Sequence, residues 1–524
     1  MFSRLIAFIR QVIHKMFPYS SIETAENVST PLSKDMQESL DLWYDMYTNQ
    51  PYWLSSENTK SLNLPSLIAA EVSRQVTLEM KWNITGKKAE DGGESVDNPR
   101  SEFLKNEFDK LMINLRQKLE QGMAAGTMIV KPYVRNGHLY FDWSMAWDIF
   151  PVAFDDDSKF ADVIFRDTYS DGEKFYTRLE RHIVENDSIR IVQSCYESNN
   201  QEHIGSPCAL TDVQIWADIE PEVILHGTNG QLFGVYKVAL ANNVDIGGPM
   251  GMSIYSRATD TIKQADMQYS RTLWEYEGSE LMVFMSEFAL RPDKKGKRDA
   301  SGTPTQRETP KRDERLMRYT FNENEDFYQI FAPTIRGTSY LEGLNAILMR
   351  IEDQCGISRG TLADPNTQAR TATELKILKE RTYSTVHENQ IALERCLREV
   401  IAAMDWYATT YNLAPQGEYD VSFEWDDSIL TDTTQQLSER MELFSQNIVS
   451  RVEMRMWYFG ETEEQAKEQI RKIDEESNEL SLDNVLKSNL EAISMGGKQE
   501  DEDEEVQKPQ KGTQEPRRAS EDEK

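Results

Sequence analysis

The spacing of apolar residues predicts a long helix near the middle of the chain. From residue 253 to residue 277 an apolar side chain recurs every three or four positions, which places all of these side chains on one face of a helix. The members of this stripe are Ile254, Ala258, Ile262, Ala265, Tyr269, Leu273 and Tyr276. Because the stripe is continuous, the helix is expected to pack against neighbours along its length.

A second helix is predicted after residue 338, and a polar loop follows it. Ser339 and Glu342 have the spacing of a capping box, so the helix should begin at Ser339 and end at Gly356. The next segment, Ser358–Arg370, is rich in Asp, Asn, Gln, Thr and Gly. Such a segment can form a flexible loop between two capped helices.

A third helix should be unusually long. Thr371 and Glu374 form another capping pattern, and helical spacing continues to about Tyr411. At 1.5 Å per residue the helix would be about 60 Å long, so it needs neighbours along its whole length. A strand around Tyr419–Trp425 is predicted next. Three or four shorter helices follow from Asp432, with capping pairs at Ser450 and Glu453 and at Thr462 and Gln465.

The first half of the chain combines helices with short strands. The pattern is mostly helical from Leu32 to Trp147, and β-branched and aromatic runs then alternate with turn residues as far as Val244. Predicted strands are Thr127–Val134, Leu139–Trp143, Val163–Thr168, Lys174–Arg181, Ile189–Cys195, Val235–Val238, Leu281–Leu290, Leu316–Phe321 and Phe327–Phe331. The fold class is therefore predicted as α+β, mainly α.

The net charge limits the function of the chain. The 524 residues carry a formal charge of −31, which argues against a protein that holds nucleic acid by neutralising phosphates. One segment has the opposite sign: ten basic and five acidic residues lie between Arg291 and Arg318. Two interpretations of this segment remain open, a solvated hairpin loop and a contact with DNA phosphates or an acidic partner.

Sequence signatures of enzymes are missing. There is no GxxxxGK[ST] loop and no GxGxxG after a strand, and the four cysteines and six histidines lack metal-ligand spacing. The prediction is a protein that is not an enzyme and that needs no cofactor or metal. A carboxylate-dependent nuclease using Glu424, Asp426 and Asp427 stays as a less favoured alternative, because adjacent acids are common in so acidic a chain.

The two ends of the chain differ from the rest. Residues 1–18 have helical apolar spacing with basic residues opposite, which favours a helix that docks on protein, with a membrane-surface helix as the alternative. No segment reaches the 18 apolar residues that a membrane span requires. The tail from Gly496 is acidic and low in apolar residues, and is predicted to be disordered.

The order of these elements and several short motifs resemble the portal protein of tailed bacteriophages, in particular long-tailed phages of Gram-positive bacteria. The likeness extends over about residues 250–480. The motifs are Gly251-Met252-Ser253-Ile254 before Ile262, Asp266 and Tyr269; Thr371-Ala372-Thr373-Glu374 before Tyr383, His387 and Gln390; Asp426-Asp427-Ser428-Ile429; and Ile448-Val449-Ser450 before Gly460, Glu463 and Glu464.

The resemblance implies a portal fold that assembles as a ring around an axial channel, usually with twelve subunits. Mapped onto this sequence, it implies a wing over 1–250 and 371–431, stem helices over 251–279 and 337–357, a clip over 280–336, a tunnel loop over 358–370, a helical crown over 432–495 and a disordered acidic tail over 496–524. The stem would expose a polar face to water or to the channel, consisting of Asp260, Lys263, Gln264, Arg271 and Glu275.

The resemblance also implies a function and its residues. The ring would sit at the capsid vertex of the virion, after assembly in the host cytoplasm. Double-stranded DNA would pass through it, packaged by terminase and later ejected. Further partners would be the head–tail connector and the major capsid and scaffolding proteins. Candidates for DNA contact in the tunnel are Arg359, Thr361, Asn366, Gln368 and Arg370; candidates for clip contacts with terminase or connector are Lys294, Lys295, Lys297, Arg298, Lys311 and Arg312. Another oligomeric virion or scaffold protein is the main alternative.

Overall fold

The computed structural model describes most of the chain up to residue 475. The described residues are 19–55, 58–78, 80–87, 98–185, 187–200, 203–228, 230–279, 282–286, 300–302, 316–319, 328–364, 372–425, 433–446 and 448–475. They form two compact units, one up to residue 425 and one from residue 433. The predicted N-terminal helix and acidic tail lie outside the described residues.

Helices make up 47% of the structure and strands 23%, which confirms the α+β class. The helices are α1 (Tyr19–Glu26), α2 (Lys34–Tyr47), α3 (Leu64–Thr77), α4 (Pro99–Met112), α5 (Leu115–Ala125), α6 (Thr259–Gly278), α7 (Gly337–Cys355), α8 (Ala372–Thr410), α9 (Thr433–Ser445), α10 (Arg451–Phe459) and α11 (463–475). Short 3-10 turns occur at Tyr52–Leu54, Ala146–Asp148, Leu210–Asp212 and Ser256–Ala258.

The strands belong to four sheets. They are β1 (Met80–Gly86), β2 (Thr127–Arg135), β3 (His138–Met145), β4 (Ile149–Phe154), β5 (Phe160–Ser170), β6 (Phe175–Glu185), β7 (Ser188–Ser198), β8 (Ser206–Cys208), β9 (Glu222–His226), β10 (Gly234–Lys237), β11 (Met282–Ser286), β12 (Leu316–Tyr319), β13 (Tyr328–Phe331) and β14 (Tyr419–Trp425). Every predicted strand is present at least in part, and β1, β4, β8 and β9 are additional.

The main core of the first unit lies between helices and the sheet ordered β10-β2-β3. Met36 of α2, Ile68 of α3, Leu119 of α5, Ile129 of β2 and Met404 of α8 have no exposed surface. Burying each such side chain contributes about 1.5–3 kcal/mol to folding. The long helix α8 therefore packs against the core, as was expected for a helix of its length.

The remaining sheets complete the first unit. An antiparallel series runs β4-β5-β6-β7, and both β8 and β9 pair with β7 at the end of that series. In the third sheet β11 pairs in parallel with β12 and antiparallel with β13. The fourth sheet joins β1 to β14 antiparallel, with Trp82 opposite Phe423. The prediction of helix for the region of β1 was wrong.

The helix α6 begins at Thr259, later than the predicted start at Ser253. Residues 253–255 are not helical, although Ile254 is buried. The backbone N–H of Ile254 donates to the carbonyl oxygen of Met123 at 3.0 Å, and the N–H of Gly251 donates to Thr127 Oγ1 at 2.9 Å. A Cβ on Gly251 would lie 2.1 Å from the carbonyl oxygen of Gly126, so this close approach requires glycine. The segment is thus bound to the α5–β2 connection and cannot start the helix there.

The second unit contains α9, α10 and α11. Ser450 and Glu453 form the predicted capping box at the start of α10. Thr462 and Gln465 bond reciprocally before α11: the N–H of Thr462 donates to Gln465 Oε1 at 3.1 Å, and the N–H of Gln465 donates to Thr462 Oγ1 at 3.4 Å. Both predicted helix starts are confirmed.

Candidate functional site

The helices α6 and α7 lie side by side and run in opposite directions. Gln268 Nε2 in α6 donates to the carbonyl oxygen of Tyr340 in α7 at 3.4 Å, and Glu275 near the end of α6 meets Arg336 just before α7. The loop after α7 and the helix α8 complete a helix–loop–helix unit. We describe this unit as the candidate site, since it contains the predicted stem and tunnel loop.

A two-bond ion pair joins the end of α6 to the start of α7. Arg336 donates from Nε to Glu275 Oε1 at 3.0 Å and from NH2 to Oε2 at 2.8 Å. These bonds hold the pKa of the Glu275 carboxyl below its usual range. Only 6% of the Glu275 side chain is exposed, so its assignment to the polar face of the stem was wrong.

The same contact lies directly before the start of α7. The helix starts at Gly337 rather than at Ser339, and its preceding residue Arg336 makes no side-chain cap. The backbone N–H of Arg336 also donates to Glu275 Oε1, at 3.3 Å. A carboxylate from α6 thus binds the residue that precedes α7, a contact that no local capping pattern could reveal.

The apolar stripe of α6 is buried unevenly. Ile254, Ala258, Ile262 and Ala265 are buried, whereas Tyr269 and Leu273 are half-buried. On the helix pair, burial is thus greatest at the end where α6 begins.

The opposite end of the helix pair exposes large apolar side chains. The exposed fraction is 67% for Trp274, 51% for Leu341 and 43% for Tyr276. Exposed aromatic and aliphatic side chains at one end of a helix pair are available for contact with another protein.

Asp266 of α6 is a buried acid that does not belong to the apolar stripe. It accepts from Trp53 Nε1 at 3.0 Å and from the backbone N–H of Leu62 at 2.8 Å. Burial raises the pKa of its carboxyl, and the two hydrogen bonds oppose that rise. Asp266 therefore ties α6 to the segment before α3.

The loop after α7 begins with a tightly bound turn. Gly356 ends the helix with φ of +71°, and a Cβ there would lie 2.5 Å from Thr385 Oγ1 in α8. Thr385 Oγ1 donates to the carbonyl oxygen of Gly356 at 2.8 Å, and the N–H of Ser358 donates to Thr382 Oγ1 at 2.7 Å. The predicted glycine C-cap is confirmed, and α8 holds the turn in place.

Glu352 binds the first part of the loop through a single carboxylate oxygen. Its Oε1 accepts from the backbone N–H groups of Gly360 at 3.0 Å, Leu362 at 2.6 Å and Ala363 at 2.9 Å. The side chain has no exposed surface. Three hydrogen bonds to one buried carboxylate make this part of the loop a fixed base rather than a mobile segment.

An ion-pair cluster lies beside this base. Asp353 accepts from Arg359 at 2.7 Å and from Arg381 of α8 at 2.7 Å. Hydrogen bonding and charge from Arg359, and then from Arg381, hold the pKa of Asp353 below its usual range. Arg359 is thus engaged with its own chain, and about half of its side chain is exposed.

The structure locates only some of the predicted site residues. Arg359 is at the fixed base, and so is Thr361, whose Oγ1 donates to the carbonyl oxygen of Ser358 at 2.7 Å. The others lie outside the described residues: Asn366, Gln368, Arg370, Lys294, Lys295, Lys297, Arg298, Lys311 and Arg312. The role of Glu352 was not predicted from the sequence. A usable signal was present, because Glu352 lies four residues before the glycine that ends α7 and next to the apolar stripe of that helix.

Comparison with known proteins assigns the unit to a family. A family model described as "Phage portal protein, SPP1 Gp6-like" matches residues 55–480, which include α6, α7, the loop after α7 and α8. The chain belongs to this portal family. Portal proteins of this family are structural proteins of the virion and its capsid with a role in genome packaging, so the family predicted from sequence is confirmed. No curated protein matches the chain.

Two further observations concern the described part of this portal chain. None of its helices combines the length and apolar character that crossing a bilayer requires. Within the same residues, no group of three or more His, Cys, Asp or Glu side chains is placed to hold a metal ion. Of the acids in the nuclease alternative, Glu424 lies in β14 and Asp426 and Asp427 lie outside the described residues.

Proposed function

We propose that twelve copies of this chain form a ring at one capsid vertex and that double-stranded DNA passes through the axial channel of that ring. Terminase would package the DNA, and the same ring would later release it and bind the head–tail connector. Head assembly, with the major capsid and scaffolding proteins, would begin at this ring in the host cytoplasm. The family match over residues 55–480 is the observation that carries this proposal.

The candidate site supports a passive role in DNA passage. We infer that Ser358–Arg370 is the tunnel loop, with a base fixed by Glu352 and a distal part toward the DNA. Asn366, Gln368 and Arg370 are the proposed DNA contacts, together with Thr361 near the base. Arg359 would contribute to the charge near the channel while it stays paired with Asp353.

The charge of the chain is compatible with DNA in transit. A chain of −31 would give a strongly electronegative ring, and a repulsive wall does not retain a polyanion. The basic segment between Arg291 and Arg318 differs from this background. We propose that its Lys and Arg residues contact terminase or the connector at the clip; these are Lys294, Lys295, Lys297, Arg298, Lys311 and Arg312.

The ring is tested by mass and by imaging of the purified full-length chain. A dodecamer would have about twelve times the subunit mass of 60.5 kDa, and electron microscopy would show a ring with an axial hole. A chain that remains monomeric at micromolar concentration contradicts the proposal. Metal-dependent cleavage of DNA that is lost in Asp426→Asn would favour the nuclease alternative.

The tunnel loop is tested by replacing residues 365–370 with a Gly/Ser sequence of equal length. The fixed base and both helices stay unchanged, so rings should form as before. We expect DNA filling by terminase in reconstituted heads to fall at least about tenfold, since the proposed contacts are removed. A matched control replaces exposed residues of a turn remote from the stem, Asp155–Asp157, in the same way. Normal DNA filling with the altered loop would contradict the assignment.

A further inference from the structure

Two cysteines lie opposite each other on neighbouring strands, far along the sequence from the helix–loop–helix unit. Cys195 of β7 and Cys208 of β8 are direct partners in the antiparallel register. Their sulfur atoms are 3.0 Å apart, and neither is in a disulfide. Directly opposite residues of an antiparallel pair have Cα atoms about 4.5–5.5 Å apart, which overlaps the range that a disulfide spans.

We propose that Cys195 and Cys208 are a redox-active pair that forms an intrachain disulfide when the protein meets a thiol oxidant such as a glutathione disulfide. The sulfur atoms need to approach by only about 1 Å to reach the bonding distance of about 2.0 Å. The strand pairing already supplies the alignment of the backbones. Oxidation therefore requires a small adjustment of side chains and no refolding.

The surroundings determine how fast the pair reacts. Burial, with added hydrogen bonding from Cys208, raises the pKa of the Cys195 thiol to about 12, and burial also raises the pKa of Cys208. Thiolate is scarce at neutral pH for both groups, so reaction with a dilute oxidant is slow. Cys208 is only half-buried and is the thiol that an external disulfide can reach.

The reaction balances with one molecule of glutathione disulfide. The Cys208 thiolate attacks one sulfur of that disulfide, breaks its S–S bond and releases one glutathione thiolate, which takes up a proton. The Cys195 thiol then loses its proton, and its sulfur attacks Cys208 Sγ and releases the second glutathione. The two cysteines lose two electrons and two protons, and glutathione disulfide gains them.

The disulfide would fasten the edge of the six-stranded sheet. β8 has only three residues, Ser206–Cys208, so few backbone hydrogen bonds can hold it on β7. Beside it, Cys195 packs in a small cluster with Leu210, Val213 and Trp216. A covalent link between β7 and β8 would hold this short edge strand in place. In a reducing cytoplasm the pair would stay as thiols, and the link would form after exposure to an oxidising medium.

The test uses the full-length chain under native conditions. The protein is incubated at pH 8 with glutathione at a series of oxidised-to-reduced ratios, alkylated, digested and analysed by mass spectrometry. We expect a single intrachain link between Cys195 and Cys208, reversed by dithiothreitol. Hydrogen exchange at the backbone amide of Cys208 should slow at least about tenfold in the linked form.

Matched variants decide between the possible outcomes. Cys208→Ser should abolish the link and the slower exchange, whereas Cys355→Ser, at a buried cysteine outside the pair, should leave both unchanged. Because serine is close in size to cysteine, these variants are expected to fold, and circular dichroism checks this. The proposal is overturned if both thiols remain alkylatable after prolonged oxidation, if the link forms only in denaturant, or if Cys208 gives only a mixed disulfide with glutathione.

Discussion

The two ends of the α6–α7 helix pair are built differently. At the loop-side end, Ile262, Ile351 and Cys355 are at most 3% exposed and belong to the main core. At the far end, Trp274 and Leu341 are more than half exposed, and the ion pair of Glu275 with Arg336 joins the helices. The loop-side end of the helix pair is thus fully packed within the single chain. At the far end of the same pair, large apolar side chains face solvent.

This difference indicates which contacts serve folding and which serve assembly. A buried end stabilises the chain by itself, because its side chains gain transfer free energy on folding. Exposed aromatic surface gains that free energy only when another molecule covers it. In the proposed ring, the far end would be covered by a neighbouring subunit, while the loop-side end would position the tunnel loop.

The largest effect on the free energy of unfolding is expected when a buried side chain is truncated at the loop-side end of the helix pair. Ile351→Ala removes a side chain with no exposed surface, so the free energy of unfolding should fall by about 2–5 kcal/mol. Leu341→Ala, at the far end of the same helix, should change it by less than about 0.5 kcal/mol. Denaturant unfolding of the unassembled chain measures both. Equal losses would show that the two ends do not differ in the single chain.

The next effect concerns the fixed base of the loop after α7, which is the proposed tunnel loop. Glu352→Ala removes the acceptor of three backbone N–H groups, so we expect a loss of about 2 kcal/mol and faster hydrogen exchange at Gly360, Leu362 and Ala363. Glu352→Gln keeps an acceptor oxygen, so its stability and its exchange rates at the three amides should lie between those of Glu352→Ala and those of the unaltered chain. The matched control is Glu342→Ala, an exposed acid of the same helix. If exchange at the three amides did not change, Glu352 would not be the anchor.

The association of subunits tests whether the far end of the helix pair is a subunit contact. Trp274→Ser should leave unfolding of the single chain nearly unchanged and should weaken subunit association at least about tenfold, equivalent to about 1.4 kcal/mol. Analytical ultracentrifugation over a concentration series gives the association constant. A substitution at the exposed polar residue Arg271 on the same helix provides the control. Unaltered association of the Trp274 variant would exclude this end as a subunit contact.

A smaller effect depends on pH. The pKa of Glu275 is lower in the folded chain than in the unfolded chain because Arg336 binds its carboxylate. The ion pair therefore contributes its stability above the unfolded pKa near 4.5, and the contribution is lost as the pH falls through the folded pKa. Glu275→Gln should show a flatter stability profile over this acidic range, measured by thermal unfolding. A profile parallel to that of the unaltered chain would contradict the role of the pair.

The smallest effect is expected at the exposed ion pairs of Asp353. Arg359 and Arg381 are about half exposed, so solvent screens their attraction to Asp353. Asp353→Asn should cost less than about 1 kcal/mol, and the difference should shrink further in 1 M salt. Thermal unfolding at low and high salt checks this. A large, salt-independent loss would mean that Asp353 acts through buried hydrogen bonds instead.

Local signals in the sequence predicted much of this architecture. The apolar spacing located α8 to within about one residue at each end, and Gly356 and Ser450 marked helix ends that the structure confirms. Ordered motifs over residues 250–480 were enough to identify the portal family. Each of these signals depends on residues close together in the chain, where the helical repeat and capping geometry act directly.

Contacts between distant residues decided the rest. Strand β1 pairs with β14, more than 330 residues later in the chain. Met80, Trp82 and Ile84 alternate with polar residues, which is the period of a strand, but this short signal was overlooked in a region with mostly helical spacing. Glu275 and Arg336 are 61 residues apart, and α7 begins directly after their contact, at Gly337, rather than at the local capping pattern of Ser339. The sequence by itself determined the family, the long helix α8 and the helix termini at Gly356 and Ser450. Only the tertiary structure decided which acids are buried, because a carboxylate is stable in the interior wherever folding brings donors to it.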